Sequence, residues 1–127
     1  MVYKVILDTN FLMIPGQVGT DVFEEVPNAF SKPVKLFVCS GSLKELEELT
    51  TKGKGADKRA AKLALQLVDF RDPEVIETGE KHVDDALVEL ANEGYWVATQ
   101  DLELKRRLKN FIYMRQKKFI EIRGSKD

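Results

Sequence analysis

Four acids stand in positions where carboxylates do chemistry. Asp8 follows the apolar run "VYKVIL", and Asp101 follows "YWVAT", so each falls at the tip of a segment that reads as a buried strand. Taken alone, either acid is accounted for by a helix N-cap, for which Asp is a preferred residue. Asp84 is harder to dismiss. Placing "VDDALVELANEG" on a helix advancing 100° per residue puts Asp84 between Ala91, Val88 and Leu87 on the apolar side, and Asp85 among Glu89, Asn92 and Glu93 on the polar side. A carboxylate on a core-facing stripe is unfavourable unless a charge or hydrogen bond compensates it, and a cation would. Glu45 is the fourth, in the first turn of a helix opened by Ser42, where an S-x-x-E capping box is the competing explanation.

Carboxylates with one histidine and one cysteine among 127 residues make an oxygen ligand set, which suits Mg²⁺ or Mn²⁺ and not zinc. Such a cluster can activate water and stabilise charge building on a phosphoryl group. His82 reads as a surface histidine, and Cys39, inside "LFVCS", as a small buried apolar residue. The glycines of "GKG" lack the spacing of a nucleotide-binding phosphate loop.

These residues need strands and helices to hold them. Strand-like runs at 2–7, 34–40, 75–77 and 95–99 alternate with helical patterns at 18–30, 42–50, 57–70 and 82–94. "DTN" reads as a turn, "TKGKGADK" as a flexible loop, Pro27 as a helix end or bend, and Gly94 as a C-terminal cap. "DLELKRRLKN" is a further helix, and "FIYM" and "KKFIEI" are short strands. The alternation predicts an α/β fold with a mainly parallel sheet covered on both faces, whose sites form at the carboxyl ends of the strands.

The length suits one domain, expected over residues 1–123 with a disordered tail at 124–127. No run approaches the ~20 apolar residues of a membrane helix, and the first residues lack the pattern of a secretory signal, so no membrane association and a cytoplasmic location are expected. A net charge of −1 hides an asymmetry: residues 102–127 carry nine Lys and Arg against three acids, and the rest carries eleven against eighteen. A basic C-terminal end is compatible with a phosphate-bearing partner. Lys105, Arg106 and Arg107, directly behind Asp101, are candidates for contacting such a partner's phosphates, with Lys52, Lys54 and Lys58 as a second group.

Taken together, "VILDTNFLM", "SGSLKELEEL", "VDDALVELA" and "WVATQDLELKRRL" resemble the PIN domain family of metal-dependent ribonucleases, over about residues 3–123. The resemblance implies a three-layer α/β/α sandwich and an endoribonuclease whose Asp8, Glu45, Asp84 and Asp101 hold Mg²⁺ or Mn²⁺. It makes Thr9, Asn10 and Thr99 supporting residues, with Asp85 a further candidate. Two branches fit. Stand-alone domains of this length are commonly VapC-type toxins, which implies an antitoxin protein partner. The stretch "VATQDLELKRRLKN" also resembles the Fcf1-like branch that processes pre-rRNA. A non-catalytic PIN-fold adaptor for RNA or protein is the competing class, although an adaptor has no need of four acids. A phosphoacceptor of the response-regulator kind would need paired acids after the first strand, where "VYKVILDTN" has one. A second copy of the chain, joined through a sheet edge or the N-terminal helices, is the other partner considered.

Overall fold

A computed structural model describes residues 1–124, and the expected tail lies, apart from Gly124, outside the described residues. A six-stranded sheet runs through the molecule in the order β3-β2-β1-β4-β5-β6. The strands are β1 (Tyr3–Leu7), β2 (Val34–Cys39), β3 (Glu74–Ile76), β4 (Trp96–Ala98), β5 (Phe111–Arg115) and β6 (Phe119–Arg123). All neighbours pair in parallel except β5 with β6, which form an antiparallel hairpin at one edge. The helices are α1 (Thr9–Leu12), α2 (Ile14–Val18), α3 (Val22–Asn28), α4 (Ser40–Lys52), α5 (Gly55–Arg71), α6 (Val83–Asn92) and α7 (Leu102–Arg106). No helix among the described residues is long and apolar enough to cross a membrane.

Each central strand buries both faces, which is why it reads as a continuous apolar run. Val5 and Leu7 of β1, Val38 of β2 and Trp96 and Ala98 of β4 enter one core, with Phe11, Val26, Leu46 and the alanines 60, 61 and 64. Ile6, Phe37, Cys39 and Val97 point the other way, into a smaller core closed by Leu87, Leu104 and Leu108. Two cores on opposite faces of one sheet make the three layers expected from the sequence.

Several boundaries differ from the sequence reading. The helix expected over 18–30 is the shorter α3; before it the chain forms α2, which the sequence pattern did not indicate and which ends at Gly19, whose φ of 82° lies in the left-handed region. Pro27 sits in the last turn of α3, and the helix ends one residue later. The turn expected at "DTN" is the start of α1, and the loop between α4 and α5 shrinks to Gly53 and Lys54 because both helices run further than their apolar stripes. α4 also begins earlier, at Ser40. The chain therefore enters the helix directly from β2, and Ser42 is fully buried with no hydrogen-bond partner for its hydroxyl. The capping box with Glu45 does not form.

α2 crosses α5 closely. A Cβ built on Gly16 would lie 2.5 Å from the Cα of Ala60, so only glycine allows this approach. Gly94, with φ 106°, ends α6 as its position in the sequence suggested.

Candidate active site

The strand order reverses between β1 and β4, and an open parallel sheet leaves a crevice at such a point. Asp8 leaves the end of β1, and Thr99 to Asp101 leave the end of β4. Asp8 is almost fully buried, at 4% exposure. One of its oxygens accepts from the Thr9 backbone N–H at 2.8 Å, and the other accepts from the Thr99 hydroxyl at 2.8 Å. Thr99 is itself buried, and its Oγ1 accepts from the Asp101 backbone N–H at 3.1 Å. One hydroxyl thus fixes two of the acids against each other.

Asp101 caps α7, with its Oδ1 accepting from the Leu104 N–H at 3.1 Å. The capping role and a place in the site coexist, since one carboxylate oxygen suffices for the cap. Asn10 braces the same turn by accepting from the Gln100 N–H at 3.0 Å. The Gln100 side chain pairs with both backbone groups of Met114, so it extends β4 sideways onto β5 where the strand itself has ended.

Glu45 projects from the first turns of α4 and accepts from the Thr9 hydroxyl at 2.5 Å. Thr9 therefore binds Asp8 through its backbone and Glu45 through its side chain. Asp84, half-buried in the first turn of α6, closes the group from the other layer. All four acids line one cavity of about 560 Å³, with Thr9 and Asn10 in its wall.

The electrostatics of this cavity are unusual. Six acids elsewhere, Asp21, Glu74, Asp85, Glu89, Glu103 and Glu121, are in ion pairs. Among the described residues, none of Asp8, Glu45, Asp84 and Asp101 is. Burial raises the Asp8 carboxyl to a pKa of about 6, against the pull of the Thr99 and Thr9 hydrogen bonds, and the Asp84 and Glu45 charges raise it further. Burial, with the Asp8 charge, pushes the Cys39 thiol up to about 12, so that cysteine is inert packing as expected.

The remaining candidates divide. Asp85 is exposed and accepts from Arg107 at 2.8 Å, which holds its carboxyl below the usual range, and neither residue lines the cavity. Arg106 pairs with Glu103, and the Lys105 ammonium lies 4.4 Å from the centre of the Tyr113 ring. Lys52 lines the acidic cavity, whereas Lys54 and Lys58 do not. His82, exposed before α6, reaches the rim. Glu48 and Met13 were missed by sequence reasoning and lie in the wall. The signal for Glu48 was its spacing, three residues after Glu45 on the same helix.

The donor set is all oxygen, negatively charged and partly desolvated, which is an environment a hard divalent cation relieves. The carboxylates line the cavity without converging: among the described residues, no three His, Cys, Asp or Glu side chains form a closed ligand cluster. An ion held here would keep some of its waters, as Mg²⁺ commonly does.

Sheet and cavity together define an α/β/α protein with an unneutralised acidic pocket at its topological switch point. Residues 5–123 match the model of a PIN like domain, and the chain belongs to that family. Ribonuclease VapC4 of Methanocaldococcus jannaschii is 32% identical over 130 residues, spanning 96% of this chain and 98% of its own. Ribonuclease VapC9 of Archaeoglobus fulgidus is 37% identical over 107 residues, 82% of this chain and 74% of its own. Among solved structures, the PIN domain endonuclease Utp24 superposes with a TM-score of 0.77 at 25% identity, covering 94% of this chain and 90% of that one. A domain of a functionally unknown Methanocaldococcus jannaschii protein shares the fold, with a TM-score of 0.61 at 16% identity, over 98% of this chain and 99% of that one.

Proposed function

We propose that the chain is a metal-dependent endoribonuclease of the VapC kind, a single nuclease domain over residues 1–123 acting in the cytoplasm on RNA phosphodiester bonds. The observation that carries the reading is the set of four acids in one cavity with no ion-pair partner among the described residues. Two relatives named as VapC ribonucleases give it the substrate class.

Asp8, Glu45, Asp84 and Asp101 would hold Mg²⁺ or Mn²⁺. Such an ion, when bound, supplies a Lewis acid that lowers the pKa of water and offsets phosphoryl charge. The chain's own residues orient the ligands. Thr99 and Thr9 fix both oxygens of Asp8, Thr9 also fixes Glu45, and the cap on α7 fixes Asp101. Because these side chains are already hydrogen-bonded, little reorganisation remains for catalysis. Lys52 in the wall is the cation best placed for a substrate phosphate, with the basic α7 segment beyond Asp101 as the outer approach.

The test is cleavage of RNA by purified protein with Mn²⁺. Asp8→Asn is expected to abolish it while the circular dichroism spectrum stays native, and undiminished cleavage by that variant would overturn the proposal. The resemblance of "VATQDLELKRRLKN" to the Fcf1-like branch, with the likeness to a PIN domain endonuclease, favours a second reading, an RNA-processing endonuclease that works without an antitoxin. A small reading frame just upstream of the gene favours the toxin, and its absence the processing enzyme.

A further inference from the structure

A second cavity of about 560 Å³ adjoins the acidic one, and Asn10 stands in the wall of both. Its lining is chemically unlike its neighbour's, because it contains no carboxylate. Ile14 and Met114, both buried, give an apolar floor. Gln17, Gln116 and Lys117 stand around it, exposed, their side chains without a hydrogen-bond or ion-pair partner among the described residues. Asn10 uses its Oδ1 on the Gln100 N–H, which leaves its amide hydrogens for a ligand.

The backbone at the lip is strained. Gln116 and Lys117 have φ of 56° and 61°, and the Lys118 N–H donates to the Arg115 carbonyl at 3.2 Å. They are the central residues of a hairpin turn that requires positive φ at both places and favours Asn or Gly there. A long amide and a long ammonium side chain occupy those places at a local energetic cost, which is a common mark of a functional site.

We infer that this cavity is a nucleobase subsite: it seats the base of an unpaired nucleotide next to the phosphate that enters the acidic cavity. The inference rests on the nuclease reading and adds to it the place on this chain where one base is seated. An apolar floor supports the flat face of a base, side-chain amides of Asn and Gln match the donor and acceptor pattern of base edges, and Lys117 meets the adjoining phosphate. The absence of carboxylates lets a polyanion approach. The volume lies in the ordinary range for small-ligand sites, roughly 300–1,000 Å³.

The test compares the wild-type chain with a triple variant carrying Gln17→Ala, Gln116→Gly and Lys117→Gly, on an unstructured RNA of mixed sequence with Mn²⁺. Glycine at 116 and 117 removes the side chains while relaxing the turn, so the fold is kept. The loss is expected in KM and not in kcat, about tenfold for contacts of this kind. The base preference at the nucleotide flanking the cut is expected to flatten. An unchanged KM together with unchanged preference overturns the subsite. If the wild-type chain cuts no RNA with any divalent ion, the nuclease reading fails separately. The cavity is then judged by fluorescence polarisation of the same oligonucleotide in EDTA, where weaker binding by the triple variant supports it and equal binding overturns it.

Discussion

Asp8 carries opposed demands. Its side chain is buried among other acids, yet the proposed chemistry needs it ionised. In the unfolded chain its pKa is the ordinary 3.8, and in the folded, metal-free protein it is about 6. The folded state therefore binds the proton more tightly, so stability is greatest below about pH 4 for this group and declines as pH rises from about 4 to about 6. The difference corresponds to about 3 kcal/mol lost by neutral pH. Asp8→Asn removes the titration and is readily accommodated, because the Thr99 hydroxyl can accept from the new amide while turning its proton toward the Asn10 Oδ1, 3.4 Å away. In EDTA, then, Asp8→Asn is expected to melt several degrees higher than the wild type at pH 7.5, and the gain should shrink at pH 5. Adding Mn²⁺ should raise the wild-type melting temperature and leave the variant's unchanged. Melting curves at the two pH values check both, and a wild type as stable at pH 7.5 as Asp8→Asn would remove burial of charge as a feature of this site.

At the scale of elements, what holds the acids is a frame of short pieces, in which α2 approaches the backbone of α5 closely at Gly16. α1 and α2 follow Asp8 directly, and Gly16 is the point where α2 touches α5. Gly16→Val would force the helices apart, with a destabilisation of about 1–3 kcal/mol typical of overpacking. Because α1 and α2 follow Asp8 directly, a shift of α2 should disturb the site and Mn²⁺ affinity should fall as well, which chemical denaturation and calorimetry measure. Nothing in the sequence announced this joint, since helices of four and five residues are too short to show a period of 3.6. Strands were legible for the opposite reason: β1, β2 and β4 feed the cores on both faces of the sheet and β5 pairs with β6 in a hairpin, so each is a short, largely apolar run. The four acids were also legible, Asp8 and Asp101 as strand-end residues and Asp84 from its helical angle. Glu45 was found for a weaker reason. The capping box that Ser42 and Glu45 spell in the sequence does not form, because the chain passes from β2 into α4 two residues before Ser42 and buries that hydroxyl. The basic residues were legible only as composition. Which of them are committed to Glu103, Asp85 or Tyr113 depends on contacts across elements, which local pattern does not report.

For the molecule as a whole, the charge asymmetry along the chain is reorganised by folding. The C-terminal cations do not form an open positive face toward the acids; Arg106, Arg107 and Arg115 are each matched to a carboxylate nearby. Lys52 comes from the acidic part of the chain and is the lysine in the acid cavity's wall. Lys117 lines the adjoining cavity, also unpaired among the described residues. An RNA backbone crossing from one cavity to the other would therefore meet few free cations of the protein, and a divalent ion would supply much of the remaining counter-charge. Affinity should then depend on monovalent salt only moderately. Each phosphate neutralised by a protein cation contributes about −0.7 to the slope of log K against log salt for a single strand. Lys52→Ala is expected to make that slope shallower by about this amount, to weaken binding alike for all base sequences, and to leave the Mn²⁺-induced rise in melting temperature intact. Titration of labelled single-stranded RNA at several KCl concentrations measures the slope. A slope unaltered by Lys52→Ala would mean that the phosphates run along α7 instead, in which case Lys105→Ala should change it in the same measurement.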